Sequence, residues 1–252
     1  MSLLFALSGK GGVGKTTLAG FFVRILVELG KKPVLAIDAD PNSCLADMLG
    51  VKVPFSIGTA RETMRDDADE QKISKHELLR MKIAQGLVES NGFDMISMGR
   101  PEGPGCYCYA NGVLKAAIGE LSRGYPYVVL DNEAGLENLS RRIVQSVDAL
   151  VLVSDASNAG MNTLERLYSL AREMGVKYRK LIILVNRTRE GRLPESAPRV
   201  QEYTGAYKMI ALPYDEEIAA LAEESKPVWE VSGGNRIYIA IREMLDEITK
   251  AA

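Results

Sequence analysis

The segment Gly9-Lys10-Gly11-Gly12-Val13-Gly14-Lys15-Thr16 constrains this chain more than any other. It follows a short apolar run, Leu3 to Leu7, and opens a stretch from Thr16 to Leu29 with helical periodicity. A glycine-rich turn between strand and helix lets backbone N–H groups converge on phosphate oxygens at a helix N-terminus. The G-x-x-x-x-G-K-[ST] spacing sends Lys15 towards the β- and γ-phosphates of a nucleotide and gives the Thr16 hydroxyl to Mg²⁺. Gly9 to Thr17 is therefore the expected phosphate cradle. A chance glycine-rich turn is the alternative, and the flanking pattern argues against it.

The rest of the chain alternates in the same way. Gly30 is placed to end the first helix, and Pro33 to Ile37 reads as the next strand, stopping at Asp38. Asp94 to Met98, Tyr127 to Leu130, Ala149 to Val153, Lys180 to Val185 and Lys208 to Leu212 are further short β runs. Helical stretches lie between most of them, Asn162 to Met174 among them. This alternation predicts an α/β fold with a mostly parallel central sheet covered by helices on both faces. The 252 residues suit one large domain over 1–252. Residues 52–92 are more polar, with Asp66, Asp67, Asp69 and Glu70 clustered, and read as a helical insertion on the surface.

Composition excludes several classes. Lys and Arg total 31 against 33 for Asp and Glu, a net charge of −2 that gives no reason to expect nucleic acid or an anionic membrane as partner. No apolar run approaches the ~20 residues that cross a bilayer. Met1 to Ser8 is too short for a signal peptide. Three cysteines cannot build a disulfide framework, so a cytoplasmic location is expected. His76 is the one histidine, and any metal site must rely on Cys or carboxylates.

With Lys10, the loop reads K-G-G-x-G-K-T and resembles the deviant Walker A ATPases, the group of MinD, ParA and the nitrogenase iron protein. The resemblance implies a three-layer P-loop NTPase fold and a homodimer with two ATP molecules between its subunits. Lys10 would cross to the partner's nucleotide and act in catalysis with Lys15 and Asp40. Asp38-Ala39-Asp40-Pro41 matches switch I, where Asp40 would orient the attacking water and Asp38 support the Mg²⁺ shell. Asp131-Asn132-Glu133-Ala134-Gly135 matches a Walker B aspartate and switch II, whose Gly135 N–H would sense the γ-phosphate. Asn132 and Glu133 depart from commoner versions. Acidic residues after strands also serve as helix N-caps, so it is both aspartates in register with the loop that carry weight.

Base recognition falls, by the same resemblance, to Asn186, Arg187 and Pro213. The relatives use an asparagine on adenine and a proline loop beside it. Asn186-Arg187-Thr188-Arg189 is not the N-K-x-D of GTP-specific proteins, which favours ATP or ADP as ligand. A turn-forming asparagine is the alternative.

Pro101 to Tyr109 is a proline- and glycine-rich loop carrying Cys106 and Cys108. Two thiolates this close can clamp one soft metal but supply half of a tetrahedral shell. A symmetric dimer would supply the other half. Alternatively, one or both cysteines are inert small hydrophobes. Together with Asp38-Ala39-Asp40-Pro41-Asn42-Ser43-Cys44-Leu45, this loop resembles the CooC family of ATPases that assist nickel insertion into carbon monoxide dehydrogenase. That family implies one Zn²⁺ or Ni²⁺ held by Cys106 and Cys108 of two subunits, with carbon monoxide dehydrogenase or a related nickel enzyme as client. Cys44 also fits the family's switch I and is expected as a buried structural thiol.

An iron–sulfur carrier is the main rival, since the nitrogenase iron protein shares a cluster between subunits; Asp131 to Gly135 contains no cysteine, and an adjacent pair suits a single ion better. A membrane switch would need a basic amphipathic C-terminal helix. Here Ile237, Ile241, Met244 and Ile248 instead form a stripe suited to core packing, beside Glu243, Asp246 and Glu247. His76 is expected at the surface, and Met95 and Met98 as core filling. Tyr107 and Tyr109 either shield a metal or pack at the dimer interface. Arg100 and Glu102 are candidates for client contact.

Overall fold

The computed structural model describes residues 2–57, 75–100, 115–116, 118–135 and 146–250. The eight strands are β1 (Leu3–Gly9), β2 (Val34–Asp38), β3 (Val88–Glu89), β4 (Phe93–Ser97), β5 (Tyr127–Asp131), β6 (Ser146–Asp155), β7 (Lys177–Thr188) and β8 (Lys208–Pro213). They form one sheet in the order β3-β4-β2-β5-β1-β6-β7-β8. All neighbours are parallel except β3, which runs antiparallel to β4 at the edge.

The pleat sends alternate residues to opposite faces. Leu3, Phe5 and Leu7 enter one core with Phe21, Phe22 and Ile25 of α1 (Lys15–Glu28) and with Ile241 and Leu245 of α7 (Arg236–Lys250). Leu45 and Leu49 of α2 (Leu45–Leu49) join that core, as does Leu221 of α6 (Glu216–Glu223). Leu4 and Ala6 enter the other core, with Ile83 of α3 (Lys75–Gly86), Met161 and Leu164 of α4 (Asn158–Glu173), and Val200 of α5 (Ala197–Thr204). Helices on both faces of a mostly parallel sheet make this the three-layer α/β architecture of P-loop NTPases.

Each of the seven expected β runs falls on a strand. β6 and β7 extend beyond the predicted runs because their outer residues, Lys177 and Arg179 among them, alternate with half-buried ones rather than forming an apolar block. α4 begins four residues before Asn162 because the Ser157 hydroxyl caps it, accepting from the Gly160 N–H at 3.0 Å. α1 closes through the N–H groups of Gly30 and Lys31, which donate to the carbonyls of Val27 and Leu26. The stripe Ile237, Ile241, Met244 and Ile248 is buried, with Glu243 and Glu247 outward. Met95 and Met98 are fully buried.

Within 52–92, α3 and the β3 edge are described, while Asp66, Asp67, Asp69 and Glu70 lie outside the described residues. His76 falls in α3, its side chain outside the described set.

The C-terminal ends of β1, β2, β5, β6, β7 and β8 converge on the loop after β1. That strand is where successive strands go to opposite sides, the crevice in which open α/β sheets bind ligands.

Candidate nucleotide site

The loop after β1 is built by close approach. A Cβ at Gly9 would collide with the Val153 carbonyl of β6, so only glycine lets the chain leave the sheet there. Gly14 adopts φ 94° and packs under the Asn186 amide, whose Nδ2 would lie 2.6 Å from any Cβ. Lys15 begins α1 and is only 7% exposed. Its ammonium donates to the Lys10 carbonyl at 3.2 Å, a bond within the loop. Burial draws Lys15 below its ordinary pKa, opposed by the carboxylates of Asp131, Asp40 and Glu133. A desolvated ammonium facing into an open loop is poised for a more negative partner. Lys10 itself is exposed, and its ammonium makes no hydrogen bond or ion pair among the described residues.

Asp38 and Asp131 end neighbouring strands in direct register. Asp38 is fully buried; its Oδ1 accepts from the Asp40 N–H at 3.0 Å and its Oδ2 from the Leu45 N–H at 2.9 Å. It therefore shapes switch I and starts α2. Burial, then repulsion from Asp131, raises its carboxyl well above the usual range, against those two backbone bonds. Asp131 is 1% exposed, and neither of its oxygens has a hydrogen-bond partner among the described residues. Burial pushes it up to about 7, and Asp40 adds to the rise. The Thr16 hydroxyl and Lys15 are near enough to pull the other way, without a well-formed hydrogen bond. An orphaned buried carboxylate beside a threonine hydroxyl fits a hard divalent cation such as Mg²⁺, which is held by one or two carboxylates plus phosphate oxygens.

Asp40 is half-buried, and its Oδ1 accepts from the Asn42 N–H at 2.9 Å and the Asn42 Nδ2 at 3.0 Å. One carboxylate oxygen is thus engaged by the turn, and the other accepts no hydrogen bond among the described residues. Ser43, at φ 54°, is tied to β4 by its hydroxyl, 2.7 Å from that of Ser97.

Switch II is pinned at both ends. The Asn132 N–H and Nδ2 both donate to the Leu7 carbonyl, at 3.2 and 2.9 Å, and Nδ2 also reaches the Ser8 hydroxyl at 3.2 Å. The Gly135 N–H donates to the Gly9 carbonyl at 2.9 Å. Between these pins the Ala134 Cβ faces Gly11, within van der Waals reach of any side chain added there. The expected γ-phosphate sensor is therefore engaged by the loop's own first residue. The departures at 132 and 133 have different consequences: Asn132 is structural, while Glu133 lends charge to the Lys15 environment.

A pocket of about 360 Å³ opens beside Thr17 and Gly14, lined by Leu18, Phe21, Asn186, Arg187, Pro213, Tyr214 and residues of α6 and α7. Asn186, Arg187 and Pro213 line it together. Asn186 also plays a second part. Its Nδ2 donates to the Val13 carbonyl at 2.8 Å and its Oδ1 accepts from the Arg187 N–H at 2.9 Å. It clamps the phosphate loop to the end of β7. Tyr214 and the α6 wall were not assigned from sequence; the signal available was the apolar spacing of Ile218, Ala219 and Ala222 after Pro213.

Cys106 and Cys108 lie outside the described residues, with Glu102, Tyr107 and Tyr109; Arg100 is described and exposed. Cys44 corrects an expectation. It is a free, exposed thiol rather than a buried one. Cys44 sits at the cap position of α2, and the inward positions of that turn are taken by Leu45, Ala46 and Leu49. Partial burial, then the surrounding carboxylates, Asp38 first, push its thiol pKa up. Among the described residues no helix is long and apolar enough to cross a membrane.

This fold and loop define a P-loop nucleotide-binding protein. Residues 4–228 match the family described as the CobQ/CobB/MinD/ParA nucleotide binding domain, and the chain belongs to that family. It is 37% identical, over 98% of both chains, to an uncharacterized ATP-binding protein of Methanocaldococcus jannaschii. It is 32% identical, over 68% of its length and 70% of the relative's, to the carbon monoxide dehydrogenase accessory protein CooC of Rhodospirillum rubrum. Its fold superposes on the septum site-determining protein MinD of Pyrococcus horikoshii, solved with Mg-ADP, with a TM-score of 0.68 at 20% identity, covering 99% and 98% of the two chains.

Proposed function

We propose that this protein is a Mg²⁺-dependent ATPase that works as a homodimer and couples nucleotide turnover to a metal ion delivered to a nickel enzyme. The observation that carries the ATPase reading is the buried Lys15 and the orphaned Asp131 facing one loop. Lys15 would exchange the Lys10 carbonyl for phosphate oxygens. Thr16 and Asp131 would hold Mg²⁺, with Asp38 behind them. The cation supplies charge neutralisation for phosphoryl transfer. Asp40 uses its free oxygen to orient the attacking water. Lys10, exposed and without a side-chain hydrogen bond or ion pair among the described residues, would reach a partner's nucleotide and draw the dimer closed. Release of Gly135 from Gly9 lets switch II answer the γ-phosphate. The cytoplasm is the matching compartment, and neither nucleic acid nor membrane is a partner in this reading.

The client reading rests on similarity to CooC together with the Cys106-x-Cys108 pair. Two such pairs across a two-fold axis give a four-thiolate site for Ni²⁺ or Zn²⁺. The test is metal content per chain in reduced, oxygen-free protein after loading with Ni²⁺ or Zn²⁺. A shared site gives about half an ion per chain, lost in a Cys106→Ser, Cys108→Ser double variant. Iron with acid-labile sulfide would move the assignment to an iron–sulfur carrier. Absence of thiol-dependent metal would leave a dimeric ATPase switch without metal cargo.

A further inference from the structure

The pocket beside the phosphate loop has an apolar floor and one unusual rim residue. Leu18 and Phe21 of α1, Ile218 of α6 and Ile237 of α7 form the floor. Tyr214 stands on the rim and is 61% exposed, the most exposed of the large hydrophobic side chains among the described residues. Its ring has no aromatic or cationic partner there, and its hydroxyl no hydrogen bond. The backbone beneath it is fixed. The Tyr214 N–H donates to the Thr188 carbonyl at 3.1 Å, and the next side chain, Asp215, caps α6 by accepting from the Ile218 N–H at 3.0 Å. Exposed tyrosines are ordinary on a surface. One held on a rigid backbone at the mouth of a pocket of nucleoside size is placed to meet a ligand.

We infer that the Tyr214 ring stacks on the base of the bound nucleotide and closes the pocket over it. This rests on the ATP-binding reading above. Every base has a π-face, so the stack holds purines without distinguishing adenine from guanine. Asn186 does not supply that distinction unaided, because both ends of its amide are already engaged, Nδ2 by the Val13 carbonyl and Oδ1 by the Arg187 N–H. Tyr214 thus sets affinity rather than base choice, and does so through ring area.

The test is direct calorimetric titration of the full chain with ATP and with GTP. Tyr214→Ala should weaken ATP binding about tenfold, towards the low end of base–aromatic stacking. GTP binding should fall by a similar factor wherever it is measurable. Tyr214→Phe, which keeps the ring, should stay within twofold of wild type. Tyr214→Trp should bind ATP, and its emission, read above the Trp229 background, should be quenched as nucleotide is added. Thermal unfolding should change little in all three, since the side chain is 61% exposed. Tyr214→Ala affinity within twofold of wild type, or a Tyr214→Trp emission indifferent to bound ATP, would overturn the inference and leave the ATPase reading standing. No ATP binding by wild type would overturn both.

Discussion

Asp38 and Asp131 are register partners at the ends of β2 and β5, two buried carboxylates side by side where the phosphate loop opens. Only Asp38 has hydrogen bonds to compensate. The pair is costly in the nucleotide-free chain, because each charge is desolvated and each repels the other. Lys15 is the buried cation that offsets the charge of Asp131.

The relationship makes Asp131 a residue whose burial costs stability. Asp131→Asn should stabilise the nucleotide-free protein by about 1–2 kcal/mol, since a neutral amide costs less to bury unpaired than a carboxylate. That corresponds to a rise in Tm of roughly 2–8 °C for a chain of this size. Mg²⁺-dependent ATP hydrolysis should be lost in the same variant. Calorimetric unfolding beside an ATPase assay checks both. A fall in Tm would mean that attraction to Lys15 outweighs the cost of burying the carboxylate.

Asn186 clamps the loop through the Val13 carbonyl. Asn186→Ala leaves that carbonyl without its donor and should weaken ATP binding by roughly three- to tenfold, the value of one lost hydrogen bond. Asn186→Asp should be worse than Ala, because an acceptor-only side chain would face the carbonyl. Titration of both variants decides the matter. Equal affinities would show that the amide does not hold the loop.

Arg24 lies on the inner face of α1 and is 6% exposed. Its guanidinium donates to the Val228 carbonyl at 2.6 Å and the Val231 carbonyl at 2.7 Å, and pairs with Glu28 at 2.8 Å. Arg24→Met should cost about 2–3 kcal/mol by orphaning both carbonyls. The pH dependence follows from Glu28. Burial raises its pKa, but hydrogen bonds from Tyr238 and Arg24 outweigh it and hold the carboxyl below its ordinary value of 4.5. A depressed carboxyl adds stability above the unfolded-state pKa and loses it as pH falls through the folded one. Wild type should therefore lose stability below about pH 4.5, and Arg24→Met should lose less over that range. Denaturant midpoints between pH 3 and 7 would read this out; parallel profiles would remove Glu28 from the account.

What the sequence made legible was what local pattern and spacing encode. The apolar runs located seven strands, and the glycines around Lys15 located the loop. Asp38 and Asp131 were legible because each follows an apolar run. Contacts between distant segments were not. Nothing near Asn186 announces that its amide reaches Val13, and nothing near Asn132 announces that it binds Leu7. The exposure of Cys44 depends on which side of a five-residue helix meets α1, a packing outcome rather than a pattern. The β3 edge, only two residues long, lies below what periodicity can register.

The most direct test of the central claim is the mass of the protein in solution, by sedimentation, with ATP and Mg²⁺ against ADP, for wild type and Lys10→Ala. The account predicts an ATP-dependent dimer for wild type. Lys10→Ala should stay monomeric while retaining most of its nucleotide affinity, since Lys10 makes no side-chain hydrogen bond or ion pair within its own chain among the described residues. A Lys10→Ala protein that dimerises on ATP and hydrolyses it at the wild-type rate would contradict the account.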